Sequence, residues 1–334
     1  ADAKVLPVIT LAATDNGICD PALTSPAVTY NGRITATVTN QVGALSDYTF
    51  SFGAGMGPGV ASANVYDELN GGPTAYTATA THTPTGCVSS IVSQQVVNNQ
   101  TLPLLTSNTT ASTNCAVGLE NGVAEIVTVD GVAVGSATGY TYAWTGPAAP
   151  AFPVDNPTNN ANTAQLIKLQ GGAGYDYAVV VTNQANGCRT NLSLNVADAK
   201  VLPVITLAAT DNTICDPALT SRAVTYNGRI TATVTNQIGA INHYTLAFGA
   251  GMSPGVATGN VYDQLNGGPT AYTATSTHTI TGCVSTQVSQ QVNNSQSLPV
   301  ITTSTTSSTN CVAGLEDGIA EVLTVDGTGV GAAT

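Results

Sequence analysis

Charged side chains are scarce in this sequence. Asp, Glu, Lys and Arg make up 8% of its 334 residues, whereas about 25% is usual for soluble domains. Basic residues are the rarest, with seven Lys or Arg and a formal net charge of −12. Nucleic-acid phosphates and anionic lipid headgroups would repel such a chain, so we expect neither nucleic acid nor a membrane surface as a partner.

Long apolar runs are also missing. No stretch approaches the roughly 20 apolar residues of a membrane-spanning helix, so we expect no membrane span in this segment. The apolar segment at residues 4–13 is similar to a secretory signal, but its copy at residues 200–209 lies in mid-chain. We therefore interpret it as part of a repeat rather than as a signal peptide.

The sequence repeats itself with a period of 196 residues. Residues 1–10 return unchanged at residues 197–206, and the match continues to Thr334, which aligns with Thr138. A weaker repeat divides each period. Four Leu-Pro dipeptides are each followed, thirteen residues after the leucine, by a cysteine: Leu6 and Cys19, Leu102 and Cys115, Leu202 and Cys215, Leu298 and Cys311. Arrays of this kind are typical of structural and adhesive proteins.

The repeat predicts four modules. Residues 1–100 and 200–296 form modules of type 1, residues 101–199 form a module of type 2, and residues 297–334 form a type 2 module that we expect to be truncated. The links between modules contain no Gly/Ser-rich stretch, and each leads into a Leu-Pro dipeptide. We therefore expect the modules to stack as an elongated, semi-rigid rod.

The pattern within a module predicts β-strands. Val, Ile, Thr and Tyr recur at period two, and Gly, Asn and Pro interrupt them. Asn31-Gly32 is predicted to form the tight turn of a hairpin, between strands at residues 27–30 and 33–39. About seven short strands in a hundred residues are typical of an immunoglobulin-like β-sandwich, so the predicted fold class is all-β, with tandem sandwiches. Five aromatic residues are predicted to lie in the cores: Phe52, Trp144, Phe248, Tyr76 and Tyr177.

The seven cysteines fit the repeat. Each complete module has an early cysteine and a late one that follows a glycine, which predicts one disulfide within each module: Cys19–Cys87, Cys115–Cys188 and Cys215–Cys283. The partner of Cys311 is expected beyond Thr334. Metal ligation is the alternative, but it calls for closely spaced ligands such as Cys-x-x-Cys, and the sequence has none. Disulfides favour an oxidising, extracellular location.

No group of residues predicts catalysis. His82, His243 and His278 show no nucleophile and acid in a triad pattern, so we expect structural roles, no enzymatic activity and no cofactor. The acidic residues are scattered, and the adjacent pair Asp67-Glu68 becomes Asp263-Gln264 one period later. A Ca²⁺ site needs several converging oxygens, so Ca²⁺ stays open as a ligand, with solvated side chains as the alternative.

Two segments of the type 2 module resemble a known group of proteins. Residues 139–147 (Gly-Tyr-Thr-Tyr-Ala-Trp-Thr-Gly-Pro) and 177–188 (Tyr-Ala-Val-Val-Val-Thr-Asn-Gln-Ala-Asn-Gly-Cys) are similar to the Ig-like and PKD-like repeats of very large surface proteins of gliding bacteria, exported by the type IX pathway. The type 1 modules keep Thr-Gly-Cys but carry Phe52 and Phe248 at the position of Trp144. The resemblance implies extracellular stalks, adhesins or fibres without catalytic residues.

The sequence thus predicts a non-enzymatic structural protein of the cell surface, a repeat segment of a filament or adhesin stalk. Its expected partners are copies of itself or neighbouring modules in a fibre, and surface glycans or other cells stay open as targets. Two alternatives remain. The modules could bind carbohydrate or ice, as the threonine row at residues 77–81 suggests, although Thr also suits any half-solvated strand. The chain could also be the accessory region of a larger secreted protein.

Overall fold

The computed structural model describes residues 4–57, 59–147, 163–220, 224–252 and 254–331. Two compact units divide the chain, one ending at Lys200 and the other beginning at Val201. Both units consist of β-sheets. The described residues also form four 3₁₀ helices, at Pro21–Leu23, Leu45–Asp47, Pro217–Leu219 and Ile241–His243. No helix within the described ranges is long and apolar enough to cross a membrane.

The first module is a sandwich of two sheets. Its strands are β1 (Ile9–Thr14), β2 (Gly32–Val38), β3 (Tyr48–Ala54), β4 (Val60–Ser62), β5 (Val65–Leu69), β6 (Tyr76–His82), β7 (Cys87–Val88) and β8 (Val92–Gln94). One sheet has the order β1-β2-β5-β4, and in the other β6 lies between β3 on one side and β7 and β8 on the other. Constant-type immunoglobulin domains divide their strands between two sheets in this way.

Period-two alternation determines which side chains enter the core. In β2, Ile34, Ala36 and Val38 are buried while the residues between them are more exposed. In β6, Tyr76 and Ala78 are buried in the same way. The inward residues of the two sheets pack against each other, and each square ångström of apolar surface removed from water contributes roughly 25 cal/mol.

The second module completes the first unit. Its strands are β9 (Leu105–Thr110), β10 (Gly122–Val129), β11 (Val132–Ala133), β12 (Tyr140–Thr145), β13 (Gln165–Leu169), β14 (Asp176–Asn183) and β15 (Arg189–Asn195). In one sheet β10 pairs with β9, β11 and β13, and the other sheet has the order β12-β14-β15. All of these pairings are antiparallel.

The second unit repeats this architecture. Its first strands are β16 (Ile205–Thr210), β17 (Gly228–Val234), β18 (Tyr244–Ala250), β19 (Val256–Thr258), β20 (Val261–Leu265), β21 (Tyr272–His278), β22 (Cys283–Val284) and β23 (Val288–Gln290). They form a β16-β17-β20-β19 sheet and a sheet in which β21 lies between β18 and the pair β22 and β23. A further sheet has the order β24 (Ile301–Thr306), β25 (Ile319–Val325), β26 (Thr328–Gly329).

The predicted fold class, all-β with tandem sandwiches, is confirmed. The aromatic residues predicted for the cores differ in burial. Tyr76 and Tyr177 are almost completely buried, whereas Phe52, Trp144 and Phe248 are half-buried at the edges of the clusters. Tyr76 and Tyr177 lie at the beginning of the central strand of their sheets, and their side chains pack against residues of the opposite sheet.

The predicted hairpin at Asn31-Gly32 is wrong. Gly32 is the first residue of β2, and no strand forms at the described residues 27–30. Close packing requires the glycine, because a Cβ atom there would lie 2.3 Å from the carbonyl oxygen of Leu69. The Asn31 side chain accepts a hydrogen bond of 2.8 Å from the Gly17 N–H. The dipeptide therefore holds a loop against the sheet instead of turning a hairpin.

Candidate functional site at the junction of the first two modules

The cysteine pairing differs from the predicted one. Cys19 of the first module is bonded to Cys188 of the second, with 4.9 Å between their Cα atoms and 169 residues between their positions. The predicted pairs Cys19–Cys87 and Cys115–Cys188 are therefore wrong. Cys215–Cys283 is also wrong, because Cys215 is a free thiol. Cys115 and Cys283 are disulfide-bonded, and the free thiols in the described part of the chain are Cys87, Cys215 and Cys311.

The sandwich topology explains why Cys19 and Cys87 do not pair. Cys19 lies in the loop between β1 and β2, and Cys87 follows the turn after β6. In an immunoglobulin-like sandwich these two connections lie at opposite ends of the strands. The seven residues of β6 separate the two ends by roughly 20 Å, whereas the Cα atoms of a disulfide lie within about 7 Å of each other.

The segment that carries Cys19 has a defined shape of its own. In this segment, residues 15–25 (the Cys19 loop), the Asp20 carboxylate accepts a 3.0 Å hydrogen bond from the Ala22 N–H. The Thr24 hydroxyl donates a 2.8 Å bond to the carbonyl oxygen of Pro21. These bonds close a turn of 3₁₀ helix directly after the cysteine.

A buried asparagine anchors the base of the Cys19 loop. The Asn16 side chain is fully buried, and its Nδ2 donates hydrogen bonds of 2.8 Å to the carbonyl oxygen of Ile18 and to Oδ1 of Asn98. The Asn16 N–H donates to the carbonyl oxygen of Val97 at 2.9 Å. Asn212 makes the corresponding side-chain bonds in the second unit. The loop is thereby fixed to the end of its own module, beside the chain that enters the next one.

Replacing Asn16 with alanine should lower the free energy of unfolding of the first unit by about 2–4 kcal/mol, because it leaves the buried N–H of Ile18 without its acceptor and removes the bonds from Asn16 Nδ2 to Ile18 and Asn98. Chemical denaturation measures this loss. Asn108→Ala is a matched control, since the exposed Asn108 side chain donates a 3.2 Å hydrogen bond to the Glu125 carboxylate at the surface. It should change stability by less than about 0.5 kcal/mol. Equal losses in the two variants would contradict the anchoring role.

The segment that receives the Cys19 loop is a tight turn. In this segment, residues 183–189 (the Cys188 turn), the Asn183 N–H donates to the carbonyl oxygen of Cys188 at 2.9 Å, and the Gly187 N–H donates to that of Asn183 at 2.7 Å. Gly187 has a φ of 68°, which glycine adopts without steric cost. Cys188 itself is completely buried.

Backbone hydrogen bonds join the Cys19 loop to the Cys188 turn. The Cys19 N–H donates to the carbonyl oxygen of Asn186 at 2.8 Å, and the Ser25 N–H donates to that of Gln184 at 2.9 Å. The disulfide is therefore one part of a contact that extends over both segments and connects consecutive modules.

Charge and close packing complete the contact. A guanidinium nitrogen of Arg189 lies 3.9 Å from the carboxylate of Asp20, with both side chains partly exposed, so this ion pair adds at most about 1 kcal/mol. Gly187 contributes more through its small size. A Cβ atom at this position would lie 2.0 Å from the carbonyl oxygen of Asp20, so only glycine allows the two backbones to approach.

Sequence reasoning missed several residues of this junction: Asn16, Asp20, Gly187 and Arg189. One signal was available, because Cys-Asp-Pro-Ala-Leu-Thr occurs unchanged at residues 19–24 and 215–220. An Asp-Pro pair after a cysteine indicates a capped turn and not a strand end. The contact of Gly187 with Asp20 has no comparable signal, since it joins residues of different modules.

The histidines predicted to be structural lie at the ends of secondary-structure elements: His82 ends β6, His278 ends β21, and His243 ends a 3₁₀ helix. Nδ1 of His82 is 2.7 Å from the hydroxyl of Thr85, and Nδ1 of His278 is 2.8 Å from that of Thr281. The His243 ring packs edge-on at 6.0 Å from the ring of His278. Each histidine thus has a hydrogen-bond or ring neighbour at the end of its element.

The acidic pair considered for Ca²⁺ makes other contacts. Asp67 forms an ion pair with Arg33, and Asp263 forms the same pair with Arg229 in the second unit. These carboxylates therefore brace neighbouring strands. Within the described residues no group of three or more His, Cys, Asp or Glu side chains is placed to hold a metal ion.

The Asp317 carboxylate holds one loop of the second unit through hydrogen bonds. In the loop that carries Cys311, residues 307–318 (the Cys311 loop), its carboxylate accepts hydrogen bonds from the hydroxyl of Thr309 at 2.6 Å and from the N–H of Asn310 at 3.0 Å. These bonds, led by that of Thr309, hold the pKa of Asp317 well below its usual range. A carboxylate whose pKa is lower in the folded state stabilises that state above its unfolded pKa of about 3.9, and the contribution is lost as the pH falls.

We expect the stability that Asp317 contributes to the Cys311 loop to decrease progressively as the pH falls below about 4, and we expect Asp317→Asn to remove this dependence. The type 2 module supplies the precedent, because Asn121 holds the equivalent loop by accepting a 2.8 Å bond from the Thr113 N–H. Chemical denaturation at several pH values between about pH 6 and pH 2 measures the effect, because the stability that the carboxylate contributes is lost progressively over this range. The same acid response in the variant and the parent chain would contradict it.

Comparisons with known proteins give little. No protein-family model matches the sequence, and no curated protein matches it. Among solved structures, the chain is similar to the three N-terminal domains of the Highly Immunogenic Outer Capsid protein (Hoc) of bacteriophage RB49. The identity is 13% and the TM-score 0.26, over 86% of this chain and 99% of that one. A similarity at this TM-score carries no argument about function.

Proposed function

We propose that this chain is a non-enzymatic, load-bearing segment of an extracellular fibre or adhesin stalk, in which immunoglobulin-like modules are joined in tandem by disulfides. The observation that carries the proposal is the bond between Cys19 and Cys188, which connects two consecutive modules. Hydrogen bonds between the Cys19 loop and the Cys188 turn accompany it. A bond in this position strengthens the junction, which is where a tandem array is otherwise weakest.

The position of the bond suits a protein under tension. Force applied to the ends of the first unit passes from Cys19 directly to Cys188, and the 169-residue span between them is bypassed. Both sandwiches of the unit lie largely within that span. The bond therefore protects two modules at once, whereas a bond within one module would protect only that module.

Disulfides also support an extracellular location, because they persist in oxidising compartments. The resemblance of residues 139–147 and 177–188 to repeats of type IX-secreted surface proteins points to the same location. The scarcity of charge suits a surface whose polar groups are mostly hydroxyls and amides.

Burial of the aromatic side chains favours the structural role over carbohydrate binding. Sugar sites commonly present exposed aromatic rings, but every described Tyr, Trp and Phe is buried or half-buried. The threonine row of β6, suggested for ice binding, alternates with the buried residues Ala78 and Ala80 and is itself half-buried. This pattern supports strand packing as the reason for the threonines.

Immunogold electron microscopy of intact cells that produce the chain tests the proposed function. An antibody against the purified chain should label thin fibres or stalks on cells that have not been permeabilised. Labelling that appears only after permeabilisation would overturn the proposal. An antibody against a cytoplasmic protein of the same cells serves as the control for intact membranes.

A further inference from the structure

Three thiols remain free in the described residues, and each has a bonded counterpart one period away. Cys87 corresponds to Cys283, Cys215 to Cys19, and Cys311 to Cys115. The first member of each pair is a free thiol, and the second is disulfide-bonded. The same position in the same module type therefore forms a disulfide in one repeat of the chain and is a free thiol in the other repeat.

The turn at Cys87 already has the conformation of its bonded counterpart. In residues 82–88 (the Cys87 turn) the Gly86 N–H donates to the carbonyl oxygen of His82 at 2.8 Å, and the Gly282 N–H donates to that of His278 at the same distance. The φ angles of the two glycines are 66° and 68°. The two cysteines differ in exposure, since Cys283 is completely buried whereas Cys87 is half-buried.

A cavity of about 490 Å³ adjoins the free thiol of Cys87. Its lining mixes apolar and polar groups, with the side chains of Val5, Pro7, Tyr48 and His82 among them. A loop of another chain could enter this space and reach the sulfur, as the Cys19 loop reaches Cys188.

The Cys311 loop is likewise formed without its bond. The Gly314 N–H donates to the Glu316 carboxylate at 2.9 Å, and in the loop of the bonded Cys115 the Gly118 N–H donates to Glu120 at 2.8 Å. Cys311 is exposed in this loop. The Cys87 turn and the Cys311 loop thus both keep the hydrogen bonds of their disulfide-bonded counterparts, and each carries a free thiol.

The bond between Cys19 and Cys188 indicates which cysteines pair at a junction between two modules. It joins the early cysteine of a type 1 module, Cys19, to the late cysteine of a type 2 module, Cys188. By the same rule the late cysteine of a type 1 module, Cys87, matches the early cysteine of a type 2 module, Cys311. Cys215 would match a late cysteine of type 2, and in this chain that residue is Cys188, which is already bonded.

We propose that Cys87 of one copy of this chain forms a disulfide with Cys311 of a second copy, so that copies are linked end to end. The two bonding positions differ, so each added copy offers a new free thiol at either end and the contact never closes on itself. This inference deepens the proposed fibre role by naming a second copy as the partner, and it rests on that role only for its biological setting.

The linking reaction is thiol–disulfide exchange, with oxidised glutathione as the oxidant. The thiolate of one cysteine attacks glutathione disulfide, whose sulfur–sulfur bond breaks and releases one glutathione. The second cysteine then attacks the mixed disulfide and releases another glutathione. Two thiols of the protein lose two protons and two electrons, and one glutathione disulfide becomes two glutathione thiols.

Denaturing electrophoresis without reductant tests the proposal, after the folded chain has stood in a buffer of oxidised and reduced glutathione. We expect a ladder of dimers and higher multiples from the parent chain. Cys215→Ser should give the same ladder. Cys87→Ser and Cys311→Ser should each lose it, and a mixture of these two variants should give dimers only, because each supplies one half of a single junction.

Three results would overturn the proposal: a parent chain that runs only as a single copy, a ladder that persists in Cys87→Ser or Cys311→Ser, or a ladder lost in Cys215→Ser. Circular dichroism of the single-serine variants verifies that they fold like the parent. The fibre role and the disulfide between copies can be rejected independently. Electrophoresis uses the purified chain and no cells, and antibody labelling of the cell surface does not depend on a disulfide between copies.

Discussion

Pulled between handles at Lys4 and Lys200, the first unit will release little chain until its disulfide is reduced. The bond carries the force from Cys19 to Cys188 and shields the 169-residue span between them. A reductant should then add roughly 550–600 Å of extension, at about 3.3–3.6 Å for each residue. Single-molecule force spectroscopy with and without the reductant measures this difference.

A double variant, Cys19→Ser with Cys188→Ser, is the control for this experiment. It should extend fully without any reductant. The pairing first expected from the sequence, Cys19–Cys87 with Cys115–Cys188, would instead leave residues 88–114 free to extend by roughly 90 Å under oxidising conditions. An oxidised parent chain that shows this extra extension would contradict the bond between modules.

Gly187→Ala should destabilise the first unit by about 3 kcal/mol. The alanine would adopt a φ of 68° at a cost of about 1 kcal/mol, and its Cβ atom would lie 2.0 Å from the carbonyl oxygen of Asp20. Relief of that clash requires the Cys19 loop to move away from the Cys188 turn, at a further cost of about 2 kcal/mol. Chemical denaturation measures the loss, and reoxidation of the reduced chain should form the Cys19–Cys188 bond more slowly.

Gly86 offers a matched control. Its φ is 66°, but a Cβ atom there would have nothing within 4 Å. Gly86→Ala should therefore cost only about 1 kcal/mol, the conformational part of the effect. If the two substitutions destabilised the chain equally, the close approach of Gly187 to Asp20 would not contribute to the junction.

The fold could be predicted because its signals are local. Alternation in β2 and β6 marks the buried residues Ile34 and Tyr76 without any knowledge of what packs on them. Asn31-Gly32 misled the prediction because Gly32 serves a contact with Leu69, and that contact depends on the folded sheet. The position of this glycine in the chain does not distinguish a tight turn from close packing.

The cysteine pairing could not be predicted from spacing alone. Grouping cysteines by module ignores the direction in which their loops point, and the loop of Cys19 and the turn of Cys87 lie at opposite ends of one sandwich. Strand order adds the missing information. Once the sheets are known, the Cys19 loop is attached through Asn16 to the link at Val97 that leads to the second module.

Peptide mapping of the unreduced chain tests the junction most directly. Trypsin cleaves after Lys4, Arg33, Lys168 and Arg189. This places Cys19 in the peptide 5–33, Cys87 and Cys115 together in 34–168, and Cys188 in 169–189. We predict that mass spectrometry will find peptide 5–33 joined to peptide 169–189 alone. A species in which both of these peptides are joined to peptide 34–168 would contradict the bond between Cys19 and Cys188.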